Sequence, residues 1–248
     1  MTSILVTGGT GTLGSAVSTR LRERGHEVRV LSRHSPPYAV DLRDGTGLDT
    51  AVEGVDAIVH CASTPRGGDD TAAALLLDAA RRAGVPHLLY ISIVGVDRLP
   101  LGYYGMKHRV ERMIEEAGAS GPGWTILRTT QFHDLVFRLV AGAARLPVLP
   151  LPAGVSIQPI DTGEVAGRLA ELATGAPAGR VEDMGGPEIR PLGDLARAYL
   201  RARGRRRPVL PVRLAGKAYA GYRSGAHLTP GHVVGKVTFE QFLERRLR

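Results

Sequence analysis

Ile4-Leu5-Val6-Thr7-Gly8-Gly9-Thr10-Gly11-Thr12-Leu13-Gly14 is an apolar run that meets glycines at three-residue spacing, Gly8, Gly11 and Gly14. Residues 3–7 read as a buried strand. Leu13, Val17 and Leu21 recur at helical spacing as far as Gly25, a suitable C-terminal stop. Such a turn lets the backbone bend sharply, approach a pyrophosphate with no Cβ in the way, and enter a helix whose N-terminus favours an anion. With 32 Gly in 248 residues, three glycines at one fixed spacing arise by chance roughly half a time per chain, so the flanking strand and helix carry the reading. Gly8, Thr10, Gly11, Thr12, Leu13 and Gly14 are therefore the candidate dinucleotide contacts.

A hydrophobic content of 43% over this length supports one large α/β domain. Residues 1–150 are expected to form the nucleotide-binding core. Residues 151–248 are expected to complete the sheet and add a small mixed C-terminal lobe integrated with the core. The single cysteine, Cys61, cannot form an intramolecular disulfide. No signal-peptide pattern precedes the first strand and no apolar run approaches membrane-spanning length, so a cytoplasmic protein without membrane association is expected. The formal charge of +8 and the basic clusters at 201–207 and at Arg245, Arg246 and Arg248 raise the question of nucleic acid. The basic residues are nearly all arginine, Lys107, Lys217 and Lys236 excepted, which points to a chain-wide composition bias. No nucleic-acid motif accompanies the charge. The chain also lacks a His/Cys/carboxylate cluster with metal spacing and a Gly-x-Ser-x-Gly elbow, so neither metal nor hydrolase chemistry is expected.

His26 to Leu31 reads as the second strand, followed by Ser32-Arg33-His34-Ser35-Pro36-Pro37. In a nucleotide-binding unit the end of this strand lies beside the adenosine ribose. A carboxylate there favours a free 2′-hydroxyl, whereas a guanidinium favours a 2′-phosphate. Arg33 thus points to NADP(H), with His34 and Ser35 as secondary contacts. Tyr38 to Val40 reads as a third short strand, placing Asp41-Leu42 near the adenine edge. Asp56 to Ala62 reads as a buried strand ending in Cys61-Ala62-Ser63, residues small enough for a cofactor to lie close, with Cys61 as core packing rather than nucleophile. An alanine-rich helix from about Asp70 to Ala83, stopped by Gly84, leads to the strand His87 to Ile91. This alternation implies a doubly wound parallel sheet covered by helices.

Beyond that strand lies Ser92. Eleven residues later, Tyr103-Tyr104-Gly105-Met106-Lys107 opens a helix running to about Ala117. At i and i+4, Tyr103 and Lys107 project from one helix face, and an ammonium beside a phenol lowers the phenol's pKa. A Tyr-x-x-x-Lys pair arises by chance in roughly one chain in ten of this composition, so it is more selective than the glycines. Tyr104 is a competing phenol at i+3 from Lys107.

The glycine turn, Arg33, the set Ser92, Tyr103 and Lys107, and Trp124-Thr125-Ile126-Leu127-Arg128-Thr129-Thr130-Gln131-Phe132 together resemble the short-chain dehydrogenase/reductase superfamily. The resemblance is closer to its atypical, NmrA-like NAD(P)-binding branch. It extends over nearly the whole chain, with the specific motifs in the first 135 residues. It implies a Rossmann-type fold, Tyr103 as the general acid that protonates a substrate oxygen, Lys107 as the residue holding the nicotinamide ribose and tuning Tyr103, and Ser92 as a donor to the carbonyl or developing alkoxide. Thr129 and Thr130 depart from the family's common pattern, which places proline after this arginine.

Residues 124–128 read as a further strand. Gln131, Phe132 and His133 then begin a helix and are the candidate substrate contacts. Leu146 to Pro152 reads as a proline-rich crossover, Ile157 to Asp161 as a short strand, and Thr162 to about Ala173 as a helix. A strand at Val181 to Met184, a helix from Leu192 to about Ala202, the segment Pro208 to Val212 and a last helix from Thr238 complete the lobe. The leading expectation is an NADPH-dependent reductase of a small carbonyl or quinone, monomeric or homodimeric. A non-catalytic NADP-binding redox sensor and a nucleotide-sugar epimerase are the alternatives.

Overall fold

The computed structural model describes residues 1–64 and 67–248. Strand and helix first alternate through β1 (Ser3–Thr7), α1 (Thr12–Glu23), β2 (Glu27–Leu31), α2 (Leu48–Val52), β3 (Ala57–His60), α3 (Asp69–Arg82), β4 (His87–Ile93), α4 (Gly102–Ala117), β5 (Gly123–Thr129) and α5 (His133–Ala143). Shorter pieces follow: β6 (Leu149–Pro152), β7 (Ser156–Ile157), α6 (Thr162–Ala173), β8 (Gly179–Arg180), β9 (Arg190–Pro191), α7 (Leu192–Ala202), β10 (Val209–Val212), α8 (Lys217–Arg223) and α9 (Phe239–Leu247). These elements form two compact units that interleave along the chain. One comprises Met1–Ser92, Gly102–Arg128 and Gly163–Glu182; the other comprises Ile93–Leu101, Thr129–Thr162 and Asp183–Arg248.

The first unit is built on a six-stranded parallel sheet of order β2-β1-β3-β4-β5-β8. Its inner strands β1, β3 and β4 read as largely apolar, buried runs, as strands covered on both faces do. Val6 has Val30 as its neighbour on one side and Val59 on the other. Leu5, Ile58, Leu76, Leu88, Ile114 and Ile126 fill the core, each contributing roughly 1.5–3 kcal/mol by leaving water. Since β2 lies on one side of β1 and β3 on the other, the winding direction reverses there. The crevice outside the carboxyl ends of strands at such a reversal is where open α/β sheets take ligands.

In the second unit, Val136, Val140, Leu195, Tyr199, Phe239 and Phe242 form the core. β10 runs parallel to β6, and β7 pairs antiparallel with β9. Thr238 caps α9 by accepting from the Gln241 backbone N–H while the Gln241 side chain accepts from the Thr238 N–H, satisfying two donors that a helix start leaves open.

Several sequence expectations are corrected. Tyr38 to Val40 is no strand: a single bridge joins Ala39 to Ser32, because Pro36 and Pro37 supply no backbone donors for a longer ladder. Ser92 lies inside β4 rather than beyond it. The strand expected at 181–184 begins earlier, at Gly179–Arg180, where the Ala178 N–H donates to Thr125 Oγ1 at 3.0 Å; the expected segment keeps a Val181 N–H to Ile126 O bond and a single bridge from Met184 to Thr129. Ile157 to Asp161 does not form one strand; β7 ends at Ile157, since Pro159 has no N–H to offer. The short helices α2 and α8 lacked a sequence signal long enough to show periodicity.

Candidate functional site

Between β1 and α1 the turn closes on itself, with the Gly11 N–H donating to Gly8 O at 2.9 Å and the Gly9 N–H to Leu31 O at 3.2 Å. Gly8 has φ +63°, and a Cβ there would stand 2.8 Å from the Ala62 backbone. A Cβ on Gly14 would lie 2.3 Å from Gly8 O, whereas one on Gly11 would meet only Gly8 O, at 3.2 Å. Gly8 and Gly14 therefore let backbone meet backbone, while Gly11 leaves space free beside the turn. No side chain caps α1 and no acidic residue sits in its first turn, so its N-terminal donors and partial positive charge stay available to an anion. A dinucleotide pyrophosphate fits this donor set.

At the neighbouring strand end, Thr7 Oγ1 lies 2.7 Å from His60 Nδ1 and accepts from the Ala62 N–H at 3.3 Å. These bonds tie β1 to the last residue of β3 and to the segment after it. The His60 ring stacks on Tyr90 at 5.4 Å. Lys107 reaches back beneath them, 3% exposed, donating from Nζ to Ile91 O at 3.0 Å and standing 4.6 Å from the centre of the Tyr90 ring. Burial pulls Lys107 down to about 8, opposed by the charge of Asp69, and it pulls His60 down to about 3, assisted by Lys107. Ser92 is 1% exposed.

Tyr103 differs from expectation. Its phenol oxygen lies 2.8 Å from Ser63 Oγ, and no hydrogen bond joins it to Lys107 among the described residues. Burial pushes the phenol above its ordinary pKa and the charge of Asp69 adds to this, where a nearby ammonium was expected to lower it. Ser63 donates to Asp69 Oδ2 at 2.5 Å, and Asp69 Oδ1 accepts from the Thr64 N–H at 2.9 Å. Asp69 is 4% exposed. It escaped the sequence reading because Asp69 and Asp70 look alike at the start of α3, where acidic residues are common. Asp70 turns outward to pair with Arg109. Below Lys107 on α4, Glu111 and Arg128 of β5 form a buried pair, with Arg128 Nε and Nη2 donating at 2.8 and 2.5 Å.

Arg33 and His34 lie exposed in the turn after β2. Asp41 accepts from Arg43 Nε at 3.0 Å and Nη2 at 2.6 Å, and those bonds hold its carboxyl well below the usual range. Leu42 packs its side chain into the core, leaving its backbone for any ligand contact. Burial pushes the Cys61 thiol up to about 12, so at neutral pH it is an inert thiol.

In the second unit, the Ile160 N–H donates to Gln131 O and the His133 N–H to Ile160 O, both at 2.9 Å. His133 is fully buried against Phe239 and Phe242, and its Nε2 meets Val237 O at 2.9 Å. This is a core histidine. Phe132 is half-buried at the start of α5. Among the described residues no group of His, Cys, Asp and Glu could hold a metal ion, and no helix is long and apolar enough to cross a membrane.

The parallel sheet, its glycine turn and the groups around Lys107 define a nucleotide-binding fold of the oxidoreductase type. Residues 8–136 match the NAD(P)H-binding family, and the chain belongs to that family. A (4-alkanoyl-5-oxo-2,5-dihydrofuran-3-yl)methyl phosphate reductase of Streptomyces griseus is 31% identical over 202 residues, covering 75% of this chain and 68% of that protein. An uncharacterized protein of Mycobacterium tuberculosis is 32% identical over 156 residues, 59% of this chain, and the chain spans only 17% of that relative's length. An NADPH-dependent quinone oxidoreductase of Escherichia coli, solved with NADPH, shares the fold with a TM-score of 0.81 at 19% identity, over 99% of this chain and 100% of that one.

Proposed function

We propose that the protein is an NADPH-dependent reductase of a small ketone, aldehyde or quinone. One observation carries the reading: Tyr103 and Lys107 stand four residues apart at the start of α4, in the same unit as an uncapped glycine turn shaped for a pyrophosphate. The reductase name of the Streptomyces griseus relative supports it.

In this reading the α1 N-terminus and Gly8, Thr10, Gly11, Thr12, Leu13 and Gly14 bind the pyrophosphate. Arg33, with His34 and Ser35, takes the 2′-phosphate through charge-assisted bonds. Asp41, the Leu42 backbone and Cys61-Ala62-Ser63 lie along the cofactor's length. The nicotinamide, when bound, supplies the hydride. Tyr103 gives its phenol proton to the substrate oxygen, and Ser92 donates to that oxygen as negative charge develops there. Burial lowers Lys107 to about 8 but leaves it charged at neutral pH, and its ammonium turns from the Ile91 carbonyl to the ribose hydroxyls.

Loss of NADPH absorbance with a panel of quinones, ketones, aldehydes and enones tests this, run beside Tyr103→Phe. Turnover that falls at least about a hundredfold in the variant is expected for loss of a general acid. Tight NADPH binding with no turnover across the panel overturns the reductase reading in favour of a cofactor sensor. Full turnover by Tyr103→Phe overturns the assignment of the acid.

A further inference from the structure

The Ser63 hydroxyl has two polar neighbours, Asp69 Oδ2 at 2.5 Å and the Tyr103 phenol oxygen at 2.8 Å, and only one proton to share. A carboxylate accepts and cannot donate. With the Ser63 proton on Asp69, the phenol proton must run to Ser63. The three groups then form a chain of fixed direction, Tyr103 to Ser63 to Asp69. The Thr64 N–H on Asp69 Oδ1 holds the carboxylate in place at the far end.

We propose that Asp69, acting through the Ser63 hydroxyl, is a positioning residue that keeps Tyr103 in its proton-donating form. The proposal rests on the reading of Tyr103 as the acid. A hydroxyl that donated to the phenol oxygen would favour phenolate, and Ser63 is placed to do so, but Asp69 takes that proton. The carboxylate therefore opposes phenolate twice, by its charge and by withholding the Ser63 donor. When the phenol proton turns toward a substrate oxygen and leaves, Ser63 can swing its own proton from Asp69 to the phenolate.

Other groups near Tyr103 do not share this path. On β4, Tyr90 is a phenol that burial keeps protonated. On α4, Lys107 donates to Ile91 and Glu111 is paired with Arg128, while the Tyr104 ring meets that of Tyr103 edge-on at 6.4 Å. At the end of β3, His60 and Cys61 titrate at about 3 and about 12, far from neutrality. Among the described residues, Asp69 is the one charged group bonded to Tyr103 through a single intervening hydroxyl.

The test places 3,5-difluorotyrosine at position 103 of the full chain, bringing the phenol's titration into a range the fold tolerates, and follows it by fluorine NMR. Asp69→Asn is expected to lower the midpoint by about one pH unit. In a Ser63→Ala background the same change is expected to lower it by half that or less, and Ser63→Thr restores the full effect. The surface variant Asp70→Asn leaves the midpoint in place. An equal drop with and without Ser63 overturns the proposal, since Asp69 then acts as a distant charge alone; no drop in either background overturns it as well. Should Asp69→Asn fail to fold, the parent still reports. Protonation of Asp69 in acid must move the fluorine resonance, and that step must vanish in Ser63→Ala; a step that persists there overturns the proposal. Full NADPH turnover by Tyr103→Phe would instead remove the catalytic reading while leaving these titrations intact.

Discussion

Lys107 donates from Nζ to the Ile91 carbonyl oxygen at 3.0 Å from a site 3% exposed to solvent. Burial brings its pKa from 10.5 to about 8, so keeping it charged at neutral pH costs the fold about 3 kcal/mol. Between pH 8 and 10.5 the unfolded chain binds more protons at this residue than the folded one, and stability rises with pH through that window. Lys107→Met lacks the penalty. Its advantage over the parent in urea unfolding is expected to be on the order of 3 kcal/mol at pH 7 and to shrink steadily toward pH 10. A difference that does not change with pH would sink the idea. The same variant is expected to lose turnover, a residue kept for function at a cost in stability.

Glu111 and Arg128 tie α4 to β5 by a two-pronged pair away from water. Glu111→Gln keeps the volume but strands a buried guanidinium. A loss of about 3–5 kcal/mol in denaturant unfolding is expected. Replacing both members with apolar residues is expected to recover much of it, which separates the penalty of an uncompensated charge from any intrinsic need for the pair.

Much of this arrangement is legible in the sequence because it is local. The glycine turn, α1 and the start of α4 each rest on residues within a few positions of one another, and helix and turn chemistry decides them. What escapes depends on partners far along the chain. Ser63 and Tyr103 are 40 residues apart, and nothing in Asp69-Asp70 says which carboxylate turns inward. His133, placed by sequence among the substrate contacts, meets Phe239 and Phe242 more than a hundred positions later and is buried between them. The Tyr38 to Val40 segment has strand composition, yet Pro36 and Pro37 just before it offer no N–H, so its pairing with Ser32 does not extend beyond a single bridge.

Gly11 and Gly14 are expected to separate binding from folding. A methyl group on Gly14 meets Gly8 O at 2.3 Å, so Gly14→Ala must open the turn and lose about 1–3 kcal/mol of stability. On Gly11 the nearest atom is 3.2 Å away, a contact that a small shift relieves. Gly11→Ala should therefore unfold close to the parent's midpoint while binding NADPH at least about tenfold more weakly, a loss of about 1.4 kcal/mol. Calorimetric binding and thermal unfolding of the two variants check both halves. Unchanged NADPH affinity in a folded Gly11→Ala protein would place the pyrophosphate elsewhere.

In the proposed function Arg33 carries the choice between the two nicotinamide dinucleotides. It is exposed in the turn after β2, and Asp41, the next acid along the chain, gives its carboxylate to Arg43 instead. The Arg33 guanidinium thus remains available for a phosphate dianion. A hydrogen bond to a charged group contributes about 1.5–3 kcal/mol, so Arg33→Ser is expected to weaken NADPH binding roughly ten- to hundredfold. NADH binding should hold, since NADH brings no 2′-phosphate to that position. Arg33→Glu should go further, repelling the phosphate and inverting the preference. Added salt should weaken NADPH more than NADH in the parent and equalise their salt dependence in Arg33→Ser. Equal loss for both cofactors in Arg33→Ser would mean that the residue supports the turn itself, and that the preference for NADPH must be sought in His34 and Ser35.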